Sequence, residues 1–338
     1  MVYGAIDLHM QQSQIRIIDA DGVVLRDKRV RTSRERLVQA FAEVGAIRIV
    51  LETGTESEWV AQALEAVGYE VVVVDPNYAP MYAEVHRRVK TDRRDAAALA
   101  EANRRGWYRP AHRRSTAQRR TQQLLRARRQ IVHMRSGSVT LIRSLLKQEG
   151  YRLPSCGAAR VPARLAAFDV PTALRTALTP LVEMIMAATT QIAALDAQVQ
   201  ARATGDPVVE RLQTVPGVGL VVAMTFRAHI DDVSRFRDAG QVSAALGLVP
   251  REDSSAERRH RGHITKVGNR ELRSLLVQAA WACWRSRQSG PLRAWANQLA
   301  ARRGRRIAVV ALARRLSRVL YALWRDETTF TVTKFATA

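Results

Sequence analysis

The chain has 338 residues, enough for two domains of ordinary size, and its apolar fraction of 47% is that of a globular protein. It carries 54 Lys and Arg residues against 31 Asp and Glu residues, a formal net charge of +23, which indicates a polyanionic partner. The two cysteines are too few for a disulfide framework or a thiolate metal site, and without a secretory signal or an uninterrupted apolar span we expect a cytoplasmic protein with no membrane partner.

Residues 1–110 show a pattern of short strands followed by helices. The runs VYGAIDLH, QIRIIDA and VVLRDKRV are separated by polar turns and predict a three-stranded meander. SRERLVQAFAEVG then predicts a helix, IRIVLE a strand, ESEWVAQALEAVG a second helix and YEVVVVD a buried strand. The resulting order βββαβαβ resembles the RNase H-like, or RuvC-like, α/β fold that Holliday-junction resolvases share with many transposases.

Four acidic residues stand at the ends of these predicted elements. Asp7 ends the first strand, Glu52 ends the fourth, and Asp92 and Asp95 lie three residues apart at the start of a further predicted helix. Acids in such positions can converge on two divalent cations that polarise a phosphodiester, and Mg²⁺ suits a site of carboxylates and water. The alternative is that Asp7 and Glu52 are acids at loop edges and that Asp92 is only a helix N-cap.

Residues 111–205 predict a basic helical arm with a coiled-coil linker. Apolar residues recur every seven positions from Leu125 to Leu146, and this narrow stripe favours a nucleic-acid partner over a membrane surface. The expected nucleic-acid contacts in this arm are Arg113, Arg114, Arg119, Arg120, Arg128 and Arg129. A second apolar seam runs from Leu174 to Val199, and it predicts packing either on the first helix or on another copy.

Residues 206–338 predict an all-α C-terminal domain. LQTVPGVG joins two helical patterns and resembles a helix-hairpin-helix, in which Gly217 and Gly219 would expose backbone N–H groups to a phosphate. A plain corner between two helices is the alternative.

The segment GLVPREDSSAERRHRGHITKVGNRELR is predicted as a basic loop that contains the paired hydroxyls of Ser254 and Ser255. Guanidinium groups bind phosphate in a bidentate manner, and a serine oxygen is free to act as a nucleophile, so the segment suits a phosphodiester. A solvated basic loop with incidental serines is the alternative. The expected phosphate contacts of this segment are Arg258, Arg259, Arg261 and Lys266.

Six segments carry a resemblance to a known family and occur in order over almost the whole chain. They are GAIDLH, VLETGTESEW, KTDRRDAAALAE, LQTVPGVG, DVSRFRDAGQVSAALGLVPRE and SSAERRHRGHITKVGNRELRSLLVQAAW. Together they resemble the DEDD-type insertion-sequence transposases, relatives of the Piv-type DNA invertases that include the bridge-RNA-guided recombinases. The resemblance implies that the four acids bind metal and that a serine of the C-terminal domain is the nucleophile. In the family this serine precedes a glycine; Ala256 stands at that position here, so the pattern places the nucleophile at Ser255 and leaves Ser254 as the alternative.

The resemblance also implies a reaction and its partners. It implies a recombinase that joins double-stranded donor and target DNA through a phosphoserine intermediate with the help of Mg²⁺. It further implies a homo-oligomer, a dimer or a tetramer, and guidance by a structured non-coding RNA. Two other functions stay open from the residues alone: a Holliday-junction-type metal-dependent endonuclease without a covalent intermediate, and a non-catalytic nucleic-acid-binding protein.

Overall fold

The computed structural model of the chain describes residues 1–76, 91–255 and 258–332, with the side chains of all of these except 253–255 and 258–261. The chain divides into two compact units, Met1–Arg113 and Arg114–Ala338. Each unit has its own hydrophobic core. The predicted boundaries of an N-terminal domain (1–110), an arm (111–205) and a C-terminal domain (206–338) stay a prediction.

The first unit is built around a five-stranded mixed sheet. Its strands are β1 (Val2–Asp7), β2 (Gln12–Ile18), β3 (Val24–Arg31), β4 (Ile47–Glu52) and β5 (Glu70–Val74). Its helices are α1 (Arg34–Phe41), α2 (Ser57–Glu65) and α3 (Asp92–Arg105). The spatial order of the strands is β3-β2-β1-β4-β5, with β1 antiparallel to β2 and parallel to β4. The RNase H-like fold predicted from the sequence is therefore confirmed.

The central strand β1 is covered on both faces of the sheet. Because side chains alternate along a strand, Ile6 joins the core formed with α1 and α2, whereas Ala5 joins Leu99 and Ala100 of α3. Both Ala5 and Ile6 are fully buried. Packing on two sides fixes the end of β1, and with it the position of Asp7.

The second unit is mainly helical. Its helices are α4 (Thr116–Gln148), α5 (Val161–Ala166), α6 (Thr172–Ala203), α7 (Pro207–Gln213), α8 (Leu220–Ile230), α9 (Ala239–Ala245), α10 (Arg270–Arg285), α11 (Gly290–Arg303) and α12 (Arg305–Arg325). An antiparallel hairpin, β6 (Pro250–Ser255) and β7 (Arg258–Ile264), lies between α9 and α10.

The two longest helices, α4 and α6, pack against each other within the chain. Ile142 of α4 and Ile185 of α6 are fully buried in one cluster, and Arg128 of α4 forms an ion pair with Asp196 of α6. The seam predicted in α6 therefore faces α4 of the same chain. That this seam also pairs with another copy stays a prediction.

Helix α6 is the one described helix that is long and apolar enough to cross a membrane by length and composition. Its buried residues Leu178, Ile185, Ile192 and Val199 follow a spacing of seven. Such a one-sided pattern is that of an amphipathic helix packed inside a protein, so α6 gives little support to a membrane span.

The prediction of an all-α C-terminal domain is wrong at residues 250–264, which form the β6–β7 hairpin. Its register pairs Pro250 with Ile264 and Ser255 with Arg258, with an irregularity between Pro250 and Glu252. Polar and charged residues occupy nearly every position of both strands, so the apolar alternation that reveals a half-buried strand is missing. Cross-strand backbone hydrogen bonds define these strands.

The core of the second unit is centred on α8, α10 and α12. Phe226 of α8 and Tyr321 of α12 are almost fully buried, and the Tyr321 hydroxyl donates a hydrogen bond to the Phe236 carbonyl at 2.8 Å. Cys283 of α10 is fully buried in this core.

Candidate active site

The ends of two neighbouring strands bring two of the predicted acids to one edge of the sheet. β1 and β4 are parallel, and Ile6 stands opposite Leu51 in their register. Asp7 and Glu52 directly follow these two residues, so they end adjacent strands. Asp7 is partly buried, whereas Glu52 is exposed.

Helix α3 supplies the other two acids in its first turn. The N-cap is Thr91, whose side chain accepts a hydrogen bond from the Arg94 N–H at 3.4 Å, so the alternative role of Asp92 as an N-cap is excluded. The buried Asn103 ties the far end of α3 to the sheet by donating hydrogen bonds of 2.8 Å to the carbonyls of Gly4 and Arg48. Because Gly4 belongs to β1, this bond fixes α3 relative to the strand that carries Asp7.

These elements bring Asp7 and Asp92 together with a histidine that the sequence reasoning missed. The ligand atoms of Asp7, His9 and Asp92 all lie within 4.8 Å of one another. The His9 Nε2 atom lies 3.1 Å from Asp7 Oδ2 and 3.5 Å from Asp92 Oδ1, and Asp92 also forms an ion pair with Arg29. The sequence feature that points to His9 as a member of this group is its place two residues after Asp7, since such spacing puts side chains on one side of an extended chain.

The electrostatics connect Asp95 to the same site. Burial raises the pKa of Asp7 above its usual value; the His9 contact opposes this rise, and the charges of Asp95 and Asp92 add to it. Asp95 is therefore close enough to Asp7 for their charges to interact. Glu52, the fourth predicted acid, ends the strand adjacent to that of Asp7.

The donor set fits a divalent cation. Carboxylates gathered so that their negative charges repel one another are stabilised by a bound positive charge, and their oxygens are the donors that Mg²⁺ prefers. An imidazole such as that of His9 is also a ligand for transition metals such as Zn²⁺. The group Asp7, His9 and Asp92 can therefore hold a metal ion, with Asp95 and Glu52 as neighbouring carboxylates.

Two of the arginines predicted as nucleic-acid contacts of the arm form ion pairs with acids of their own unit. Arg113 donates hydrogen bonds to Glu58, at 3.1 Å, and to Glu65, and both carboxylates raise its pKa. Arg128 pairs with Asp196, as described above. These arginines have a structural role in the unit to which they belong.

The remaining arm arginines differ in their surroundings. Arg129 forms an ion pair with Glu271 of α10 at 3.0 Å, and Arg114 lies 3.3 Å from the Nδ1 atom of His229. Arg119 donates a hydrogen bond to the Thr116 hydroxyl at 2.9 Å. Arg120 is exposed on α4, which makes it the best placed of the six for a phosphate.

The predicted helix-hairpin-helix corresponds to α7, α8 and the turn between them. Gly217 in this turn has a φ of +87°, and it packs against α10 so closely that a Cβ atom would lie 2.5 Å from the Ala279 carbonyl oxygen. Gly219 is the exposed N-cap residue of α8, with open space where a side chain would be. The turn thus requires a glycine at position 217, as the motif would, while its binding of phosphate stays a prediction.

The predicted nucleophile lies at the end of β6. Ser254 stands opposite Arg259 and Ser255 opposite Arg258 in the backbone register, and Arg261 lies further along β7. The side chains of these five residues lie outside the described part of the structure, as does Ala256 altogether. Lys266, just beyond β7, is exposed and has a φ of +58°.

An RNase H-like sheet with clustered carboxylates at the end of its central strand defines a class of enzymes that cut or transfer nucleic-acid phosphodiester bonds. A family model described as "Transposase IS116/IS110/IS902 family" matches residues 209–294, and a model of the IS110-type DEDD transposases, described as "Transposase", matches residues 5–150. The chain is therefore a DEDD transposase of the IS110/IS116 family, and it is an enzyme that cleaves and rejoins DNA. Transposases of this type typically depend on a divalent metal ion.

Relatives similar over almost the whole chain agree with this assignment. The chain is 28% identical to a probable family 20 transposase of Pseudomonas aeruginosa, over 96% of this chain and 97% of the relative. It is 28% identical to the transposase for insertion sequence element IS1111A of Coxiella burnetii, over 96% of this chain and 90% of the relative. It is 27% identical to the transposase for insertion sequence element IS1328 of Yersinia enterocolitica, over 96% and 97%.

Proposed function

We propose that this insertion-sequence transposase joins donor and target double-stranded DNA through a phosphoserine intermediate, with Ser255 as the nucleophile. Asp7, Glu52, Asp92 and Asp95 would be the ligands of Mg²⁺. The observation that carries the proposal is the convergence of Asp7 and Asp92 within one possible metal group, with Asp95 close enough to raise the pKa of Asp7.

The acids and the basic residues have separate tasks in the proposed reaction. Asp7 and Asp92 would hold the cation in place, because β1 and α3 are fixed to each other through Asn103. When bound, the metal would orient the scissile phosphate and stabilise the oxygens that gain negative charge. Arg29 pairs with Asp92 in the structure and would lie beside a phosphate that reaches this site.

The serine supplies the covalent step. The Ser255 hydroxyl oxygen would form a bond to phosphorus while the bond from phosphorus to a sugar oxygen breaks. The hydroxyl proton would pass to solvent, and the leaving sugar oxygen would take up a proton. Attack on the phosphoserine by a sugar hydroxyl of the second DNA would reverse these changes and release the serine, so strands are exchanged without net hydrolysis. The register of Ser255 with Arg258 supports a phosphate at this hairpin.

We also propose that a structured non-coding RNA selects donor and target by base pairing, and that the enzyme acts as a dimer or a tetramer. The net charge of +23 supports large polyanionic partners. The protein would contact such an RNA through its shape and backbone. The exposed Arg120 and the turn at Gly217 and Gly219 are candidate contacts.

The test is a search for a covalent protein–DNA adduct after incubation with Mg²⁺, the RNA encoded beside the gene and cognate DNA. We expect an adduct with the wild type and with Ser254→Ala, and none with Ser255→Ala or Asp92→Asn. Asp21→Asn is the matched control, because Asp21 lies in the turn between β2 and β3, at the opposite end of β2 from Asp7.

Other outcomes would change the proposed function, the nucleophile or the role of the RNA. DNA cleavage that persists in Ser255→Ala would favour the metal-dependent endonuclease without a covalent intermediate. Loss of the adduct in Ser254→Ala alone would move the nucleophile to Ser254. An adduct that forms without the RNA would contradict RNA guidance.

A further inference from the structure

Helix α10 carries an aromatic pair that the proposed reaction does not use, and one of its two rings is exposed. The rings of Trp281 and Trp284 are stacked, with centroids 5.4 Å apart and planes inclined by 8°. Trp281 is 37% exposed, while Trp284 donates its indole N–H to Asn297 of α11 at 2.8 Å. Because Trp284 is anchored and Trp281 is stacked on it, the exposed ring is held in one orientation. A fixed, exposed aromatic ring is a suitable surface for stacking another ring.

Trp281 borders a groove between α10 and the α7–α8 turn. This groove has a volume of about 650 Å³. It is lined by Gly217, Val222, Gln278, Ala279, Trp281 and Arg285, among others. The wall formed by the turn cannot shift easily, because Gly217 is in backbone contact with α10 and a Cβ atom there would lie 2.5 Å from the Cys283 nitrogen.

Helices α10, α11 and α12 are rich in arginine, and Arg285 of α10 lines the groove. From Leu272 to Arg325 the sequence contains twelve arginines and neither Asp nor Glu. Gln278 and Arg285 are exposed and lie about one turn before and after Trp281, so the three side chains follow one face of α10. An aromatic ring, an amide and a guanidinium in a row match the three parts of a nucleotide: the face of the base, its polar edge and its phosphate.

We propose that this groove, which we call the tryptophan groove, binds an unpaired nucleotide of a single strand. The base would stack on Trp281, and Arg285 would bind the adjoining phosphate. In a duplex both faces of each base are covered by neighbouring pairs, so double-stranded DNA does not fit the site. The inference deepens the proposed function, since strand exchange exposes unpaired DNA and a structured RNA offers unpaired loops; both share the chemistry that the groove recognises.

The first test is the affinity of the full chain for labelled oligothymidylate, oligouridylate and a blunt duplex, measured by fluorescence anisotropy over a series of salt concentrations. Trp281→Ala should weaken binding of single strands by roughly 5- to 100-fold, as expected for the loss of one base–aromatic stack, with no change in the salt dependence. The slope of log K against log salt is negative. Arg285→Gln should make it shallower by about 0.7, as expected for the loss of one phosphate contact with a single strand. Both variants should bind the duplex like the wild type.

Trp107→Ala is the matched control. Trp107 is 46% exposed and carries Arg105 over its ring at 4.6 Å, but it belongs to the first unit. Its substitution should leave binding of single strands unchanged, and Trp281→Phe should retain most of the wild-type affinity because it keeps an aromatic face. The thermal unfolding midpoint of each variant shows that the fold is intact.

A second measurement locates the base directly. Oligonucleotides that contain 5-iodouracil are cross-linked to the protein by light, and the labelled peptide is identified by mass spectrometry. We expect the label on the α10 peptide with Trp281, and the DNA and RNA forms of the probe tell which strand the groove prefers. Unchanged affinity of Trp281→Ala for both single strands, or a label confined to other peptides, would overturn the proposal, as would an altered oligomeric state of this variant with unaltered binding.

This test is independent of the proposed serine chemistry. Binding of single strands requires neither Mg²⁺ nor Ser255, so Ser255→Ala should bind both oligonucleotides like the wild type. A missing covalent adduct together with a Trp281 effect would reject the serine mechanism and keep the groove. A normal adduct in the wild type, together with unchanged single-strand binding by Trp281→Ala, would keep the serine mechanism and reject the groove.

Discussion

The carboxylate of Asp7 lies in an environment that disfavours its charged form. The covered strand β1 partly buries its carboxylate, which disfavours the charged form, and the charges of Asp92 and Asp95 act in the same direction. His9 and Arg29 offset part of this cost by contacting Asp7 and Asp92. A bound cation would offset the same repulsion more strongly, which is why these acids suit a metal better than a set of structural ion pairs.

His229 provides a pH test that is separate from the metal site. Burial, together with the neighbouring charges of Arg114 and Arg235, lowers its pKa to about 3. In the unfolded chain a histidine has a pKa near 6.5, so below that pH the unfolded chain binds a proton that the folded chain does not. The stability present above about pH 6.5 is therefore lost as the pH falls, by up to about 1.4 kcal/mol per pH unit.

Replacement of His229 by asparagine should reduce this acid sensitivity. The Nδ1 atom of His229 lies 3.3 Å from an Arg114 nitrogen, and the asparagine side-chain oxygen keeps an acceptor close to that position without a titrating group. The measurement is the free energy of urea unfolding between about pH 4.5 and 7.5. His133→Asn, at an exposed position of α4, should retain the slope of the wild type. An unchanged slope in His229→Asn would contradict the assignment.

At the scale of the element, the β6–β7 hairpin depends on its base. Lys266 donates its N–H to the Gly247 carbonyl at 3.1 Å, and Thr265 donates to Val249 at 2.9 Å. Gly268 has a φ of +78°, and a Cβ atom there would lie 2.0 Å from the Ala245 carbonyl oxygen. This close approach holds the hairpin against the end of α9.

Substitution of Gly268 by alanine should therefore destabilise the second unit. A positive φ strains an alanine, and the clash with backbone atoms adds to this strain, so we expect the unfolding free energy to fall by about 2–5 kcal/mol. Gly262→Ala, in β7, is the control, because the nearest atom to its added Cβ is the Arg251 Cβ at 4.0 Å. Chemical denaturation of both variants compares them. Equal stability of the two would show that the base of the hairpin tolerates a side chain.

The elements also show what the sequence can and cannot predict. Alternation and turn residues predict the strands of the first unit, and strand ends then predict the positions of Asp7 and Glu52. The buried face of α10, at Leu272, Leu276 and Cys283, also has helical spacing in the sequence. The β6–β7 hairpin lacks any apolar alternation, so periodicity could not reveal it.

Two parts of the candidate sites needed the structure for a different reason. His9 is a candidate metal ligand because it lies beside Asp92. Asp92 is distant in sequence and reaches His9 only through the packing of α3 on β1. Trp281 stands in an apolar run that is typical of a core helix, and only the packed helix shows that its ring is exposed. Long-range packing, rather than local propensity, decides both.

At the scale of the whole molecule, the proposed reaction draws on both units. The acids proposed as metal ligands belong to Met1–Arg113, and Ser255 belongs to Arg114–Ala338. A reaction that needs one group from each unit can combine them within one copy or between two copies of the chain. The two arrangements differ in what a mixture of inactive variants can do.

Mixed oligomers of Asp92→Asn and Ser255→Ala separate these arrangements. If the site is shared between copies, the intact acids of the Ser255→Ala chain can meet the intact serine of the Asp92→Asn chain, so we expect mixing to restore the covalent adduct. The adduct should form only on the Asp92→Asn polypeptide, which a size tag identifies on a denaturing gel. In a dimer with two shared sites, one site of each mixed pair is intact, so the yield should approach about half that of the wild type per mixed dimer. A mixture that stays inactive although mixed oligomers are present would place the acids and the serine of each site in one copy.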